Sequence, residues 1–184
     1  MKLAMLGRDG VLNEDRAGYV KHPGELTMIP RAGEACAALN RAGIKVAIVS
    51  NQSAVGRGII SAEMLERIHD KLRQELFAHG ARIDLLLTCT DAPGRESPRR
   101  KPQPGMLREA LAHFRLHREE AVMIGDQLPD LTAARAAGVT PILVRTGKGA
   151  QLQAQGLPQD ILPVSVYDSL HAAVESLLTL HRGY

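Results

Sequence analysis

The chain has no tryptophan, three tyrosines and two phenylalanines, so aromatics make up 3 % of its 184 residues. Without rings on which bases could stack, and with no stacking motif in sight, no nucleic-acid partner is expected. Cysteine is equally scarce. Cys36 and Cys89 form no repeated spacing, which argues against a disulfide framework and for a reducing, cytoplasmic setting. No apolar run reaches the length of a bilayer span, and the amino terminus lacks the charged segment and apolar core of a signal peptide, so no membrane partner is expected. Internal repeats, low-complexity tracts and linkers are also missing. One domain over residues 1–184 follows, large enough to bury roughly 70 % of the surface of its unfolded chain, and a monomer is expected.

The net charge is +3, a weak bias towards acidic partners. Its distribution carries more information than its total. Arg95, Arg99, Arg100 and Lys101 crowd one Pro- and Gly-rich stretch, Ala92 to Gly105, which reads as an irregular loop and a site for small anions such as phosphate esters. Taken alone, such a cluster is more commonly a solvated basic loop.

Short aliphatic runs alternate with longer stretches of helical period, the signature of an α/β fold with a mainly parallel sheet between helices. The pattern predicts strands at Lys2 to Leu6, Lys45 to Val49, Leu85 to Cys89, Val122 to Ile124 and Pro141 to Val144, with an edge strand near Val164. Helices are predicted at Gly33 to Ala42, Ala62 to Ala78, Met106 to Phe114, Leu131 to Ala137 and Ser169 to Leu178. Ser61 can cap the longest of these at its start, and Gly43, Gly80 and Gly138 follow helix ends.

The unusual residues fall where strands end, and that is where open α/β sheets bind ligands. After the first strand comes Gly7-Arg8-Asp9-Gly10, which places the Asp9 carboxylate at a tight turn; alone, Asp9 is equally an ordinary turn residue. The second strand runs into Ser50-Asn51-Gln52-Ser53, where a hydroxyl and neighbouring donors can steady phosphoryl oxygens as charge develops, or can merely cap a helix. Arg99-Arg100-Lys101-Pro102 precedes a Pro-Gly helix start. Gly125-Asp126 follows the fourth strand, with Asp130 placed either to orient the site or to cap the next helix.

These four segments, in this order from Leu3 to Asp130, resemble the motifs of the haloacid dehalogenase (HAD) superfamily of phosphatases. Within it, Arg-Asp-Gly-Val-Leu-Asn, Gly18-Tyr19-Val20, the run from Ser50 to Gly58 and Arg-Lys-Pro resemble the D-glycero-D-manno-heptose 1,7-bisphosphate phosphatases and their histidinol-phosphatase relatives. The resemblance implies a HAD-like Rossmannoid three-layer sandwich with no large cap domain. It implies a small phosphorylated sugar as substrate, touched by Asp15, Arg16, Ala17, Gly18, Ser50, Asn51, Gln52, Ser53 and Arg100, with Arg57 close by. Ser50 and Lys101 would hold the phosphoryl group, and Asp9 would protonate the leaving oxygen and then activate water. Mg²⁺, a hard cation that takes oxygen ligands, would be held by the Asp126 carboxylate and the Asp9 carbonyl.

Two departures qualify what the resemblance implies. Many relatives bind structural zinc through Cys-x-His and Cys-x-Cys. Here Cys89-Thr90-Asp91 and Ser97-Pro98-Arg99 stand at those places, so zinc is not expected and Cys89 is better read as core filler. The graver departure is Gly7, which stands where the family carries its attacking Asp. It removes the nucleophile and a Mg²⁺ ligand, weakening metal binding and costing at least about a thousandfold in rate by analogy with other covalent enzymes. Three readings are open: a substitution in an otherwise active enzyme, a phosphate-binding pseudoenzyme, or a site where water attacks directly. The survival together of Asp9, Ser50, Lys101 and Asp126 favours the first. The expected activity is Mg²⁺-dependent hydrolysis of the 7-phosphate of a heptose bisphosphate, with histidinol phosphate as the rival substrate.

Overall fold

The computed structural model describes residues 1–182. The elements run β1 (Leu3–Leu6), α1 (Ala32–Arg41), β2 (Lys45–Asn51), α2 (Ser53–Gly56), α3 (Ala62–Ala78), β3 (Leu85–Cys89), α4 (Gly105–Phe114), β4 (Ala121–Gly125), α5 (Leu128–Ala137), β5 (Thr140–Val144), α6 (Gly149–Gln155), β6 (Ser165–Tyr167) and α7 (Leu170–Arg182). All strand pairs are parallel, in the spatial order β3-β2-β1-β4-β5-β6. The first three strands build outward from β1 in one direction and the last three in the other. Their connections therefore diverge at β1 and β4, opening a crevice at the carboxyl ends of that pair.

Alternation along β1 explains the layering. Ala4 and Leu6 face a core shared with α1, α3 and α7, whereas Leu3 and Met5 face a second core with α4 and α5. All four are wholly buried, as a central strand covered on both faces requires.

The predicted strands and long helices are present, with small shifts at their ends. Ser61 caps α3 as expected, its side chain accepting from the Met64 amide at 3.0 Å. Two differences bear on the site. The second strand continues past Val49, so Ser50 and Asn51 are strand residues in register with Thr88 and Cys89 of β3. The short helices α2 and α6, absent from the sequence reading, follow β2 and β5.

Candidate active site

A cleft of about 350 Å³ lies over the tips of β1, β2 and β4. Its walls include Gly7, Asp9, Asp15, Arg16, Ala17, Ser50, Asn51, Gln52, Ser53, Arg57, Arg100, Lys101 and Asp126. Of the residues that the resemblance assigned to catalysis, substrate or metal, Gly18 is not on the wall. The turn that follows it presents Tyr19 and Val20 instead, with Tyr19 at a φ of 65°. The basic cluster divides as well. Arg100 and Lys101 reach the cleft, but Arg99 pairs with Glu109 at 2.6 Å and Arg95 is exposed outside it.

Asp9 is the hub of the first wall. Its Oδ1 accepts from Arg8 Nη2 and Asn13 Nδ2, each at 2.8 Å, and its Oδ2 accepts from Gln52 Nε2 at 2.8 Å. Burial works to raise its pKa, yet the Arg8 charge and these donors outweigh it and hold the carboxyl below the usual range. Asp9 thus rests ionised, ready to take a proton rather than give one. Arg8, to which the sequence reading gave no role, is 2 % exposed. Among the described residues its Nε and Nη1 find no hydrogen-bond partner, so Asp9 is what compensates its buried charge.

The second wall joins β2 to the basic loop. Ser50 Oγ accepts from Gln52 Nε2 at 2.8 Å, which leaves its own proton free to be donated. Asn51 does more than offer a donor. Its side chain donates to the Lys101 carbonyl at 2.9 Å and accepts from the Lys101 amide at 3.1 Å, so it fixes the lysine backbone. Lys101 Nζ then donates to the Val49 carbonyl at 2.7 Å and pairs with Asp130 Oδ1 at 2.6 Å. The other oxygen of Asp130 accepts from the amides of Asp126 and Gln127 at 3.2 and 3.1 Å. Both readings of Asp130 therefore hold together: it caps α5 and it orients Lys101.

Asp126 closes the third wall. Its pKa is pushed up to about 7, first by burial and then by the Asp130 charge, against the opposing Lys148 amide. Such accumulation of negative charge is what a bound cation relieves. The Lys148 amide donates to Asp126 Oδ2 at 3.0 Å, and among the described residues nothing donates to Oδ1. An all-oxygen set from Asp126 and the Asp9 carbonyl fits a small hard cation, one carboxylate short at Gly7. Among the described residues no group of three His, Cys, Asp or Glu side chains is clustered to hold a metal.

The segment after β5 was missed by the sequence reading. Thr146 Oγ1 donates to the Gly10 carbonyl at 2.7 Å, and Lys148 lines the cleft. A β-carbon on Gly10 (φ +79°) would lie 2.1 Å from Asp126 Oδ2, and one on Gly147 (φ +59°) 2.2 Å from the same atom. Only glycine permits three chain segments to meet there. The sequence signal was Thr-Gly-Lys-Gly at a strand end, a phosphate-loop composition without the spacing that would have named it.

The loop that holds zinc in many relatives is ordered otherwise here. Cys89 Sγ donates to Asp91 Oδ2 at 3.3 Å and lies 3.7 Å from Ser97 Oγ. Arg100 Nη1 reaches the Asp91 carbonyl at 2.8 Å. Cys89 is buried, but it joins this polar network rather than only filling the core.

Comparison with known proteins agrees with this geometry. A HAD-hydrolase-like family profile matches residues 98–173. The D-glycero-beta-D-manno-heptose-1,7-bisphosphate 7-phosphatase of Pseudomonas putida is 38 % identical over 97 % of the chain and 100 % of its own length. Its counterpart in Pseudomonas aeruginosa is 38 % identical over 96 % of the chain and 97 % of its own. The crystal structure of the Bordetella bronchiseptica D,D-heptose 1,7-bisphosphate phosphatase, complexed with magnesium and phosphate, superposes with a TM-score of 0.92 at 38 % identity, covering 98 % of this chain and 99 % of that one. Identity of this order across essentially the whole of both chains settles the kinship: the chain belongs to the heptose-1,7-bisphosphate phosphatase family of HAD-like hydrolases.

Proposed function

We propose that this protein is a scaffold for Mg²⁺-dependent hydrolysis of the 7-phosphate of D-glycero-D-manno-heptose 1,7-bisphosphate, and that the chain as written binds this ester without turning it over at an enzymatic rate. The observation that carries the reading is the convergence of Asp9, Ser50, Lys101 and Asp126 on one cleft whose floor carries Gly7 in place of a carboxylate. The names of its relatives supply the sugar.

In this reading the phosphoryl group lies between Ser50 Oγ and Lys101 Nζ, which donate to its oxygens as negative charge grows. Asp130 and the Val49 carbonyl hold the ammonium in position, so little reorganisation accompanies reaction. Bound at Asp126 and the Asp9 carbonyl, Mg²⁺ would supply charge neutralisation of the phosphoryl oxygens. A carboxylate at position 7 would displace the sugar oxygen from phosphorus, and Asp9 would give that oxygen its proton. Water would then cleave the acyl-phosphate after losing a proton to Asp9. Because Asp9 rests ionised among its three donors, the proton it gives must first be taken from solvent or from the singly protonated phosphate of the incoming ester.

With Gly7 the first step has no agent. The Gly7→Asp protein should release phosphate from heptose 1,7-bisphosphate with Mg²⁺, and do so at least about tenfold more efficiently than from histidinol phosphate, a preference worth about 1.4 kcal/mol. Equal or reversed preference would contradict the substrate assignment. No activity on either ester would contradict the whole reading.

A further inference from the structure

The cations of the cleft are not equally free. Arg8 is bound to Asp9, Lys101 is held by Asp130 and the Val49 carbonyl, and Arg100 is tied to the Asp91 carbonyl. Arg16 lies 3.8 Å from Glu25, and Arg57 stands on the exposed turn that ends α2. What sets Lys148 apart is its base. Its backbone is fixed through its own amide on Asp126 and through Thr146 on Gly10, with no room beside Gly147 for a β-carbon. Its side chain is 59 % exposed, with one ion pair to Asp15 Oδ2 at 3.2 Å. An exposed pair of this kind contributes little and exchanges readily. The result is a mobile ammonium on a rigid base, parked across the cleft on the loop that follows β1.

We propose that Lys148 is a substrate-anchoring residue, its ammonium leaving Asp15 to bind a phosphate of the incoming ester. A phosphate group offers more charge and more acceptor oxygens than one carboxylate, so the exchange favours the ligand. Asp15 then serves as the placeholder that keeps Lys148 over the cleft before the ligand arrives. The proposal rests on the phosphate-ester reading above, and adds to it a residue on β5's following turn that the motif resemblance does not mark.

Calorimetric titration of heptose 1,7-bisphosphate into the protein in EDTA tests it, since the chain as written should not consume the ligand. Lys148→Met should weaken binding about tenfold and Lys148→Arg should stay within about threefold of the parent, the loss expected for one charge-assisted bond. The decisive comparison repeats Lys148→Met in an Asp15→Asn background. If Lys148 binds phosphate, its loss there costs at least as much as in the parent, because no competing carboxylate holds it. If Lys148 merely positions Asp15, the loss disappears in that background and the proposal falls. Undiminished binding by Lys148→Met overturns this proposal alone. Failure of the parent to bind the ester at all overturns both it and the reading beneath it.

Discussion

A β-carbon built on Gly7 meets Val11 Cγ2 at 3.0 Å and nothing else closer than 3.8 Å. Gly7 is not among the glycines of positive φ, so an L side chain there suffers no backbone strain, and Val11 need give only a few tenths of an ångström. The position can therefore carry the family's Asp. The same substitution should tighten Mg²⁺ binding, which is expected to be weak without it and to depend on Asp126. Calorimetry showing tight binding indifferent to Asp126→Ala would contradict this metal site. Asp126 also makes a pH prediction. Its pKa is about 7 in the folded protein against an ordinary 3.8, so between those values the native state binds the extra proton. Stability of the metal-free protein then falls as pH rises through about 7 and levels off above. Asp126→Asn removes this slope. Urea unfolding in EDTA should find its stability gain over the parent larger at about pH 8 than at about pH 5, by on the order of 3 kcal/mol. An equal gain at both would contradict the assignment.

What was legible in the sequence was what repeats locally. Alternating aliphatic runs gave β1, β2, β4 and β5, and a Ser cap followed by helical period gave α3 over Ala62–Ala78, the residues at which it is found. Helices α2 and α6 were not legible, because four and seven residues are too few to display a 3.6-residue period. The site divides in the same way. Strand-tip motifs placed Asp9, Ser50, Lys101 and Asp126 in one cleft, but Asn51 gripping Lys101 joins residues 50 apart in sequence, and Lys148 reaching Asp15 is equally non-local. That Tyr19 and Val20 line the cleft beside Gly18 was not legible, because a turn's facing depends on dihedrals that composition does not specify. The loop from Cys89 to Arg99 makes its own prediction. Since Cys89 spends its thiol on Asp91 and Ser97, and zinc needs several Cys or His ligands, elemental analysis of protein purified without metal-affinity resin should find far less than one zinc per chain. A stoichiometric ion would mean that this loop is held differently.

Taken whole, the molecule separates what holds it together from what it does. The cores on the two faces of the sheet are aliphatic and bury β1 on both sides, while the polar constellation sits at the rim over the carboxyl ends of β1, β2 and β4. Among the described residues no helix is long and apolar enough to cross a membrane. Such a division lets a catalytic side chain be lost without loss of the fold, which is how a chain lacking the attacking group can keep the rest of the cleft. On the function proposed above, position 7 alone separates this chain from turnover. Borohydride reduction during reaction with heptose bisphosphate and Mg²⁺, followed by mass spectrometry, reads it directly, because reduction of an aspartyl-phosphate leaves homoserine. Homoserine at position 7 and rapid phosphate release are expected in Gly7→Asp, with neither in the parent and neither at an appreciable rate when Asp9→Asn is added, because the leaving oxygen then has no acid. Rapid turnover by the parent, unimproved by Gly7→Asp, would contradict it.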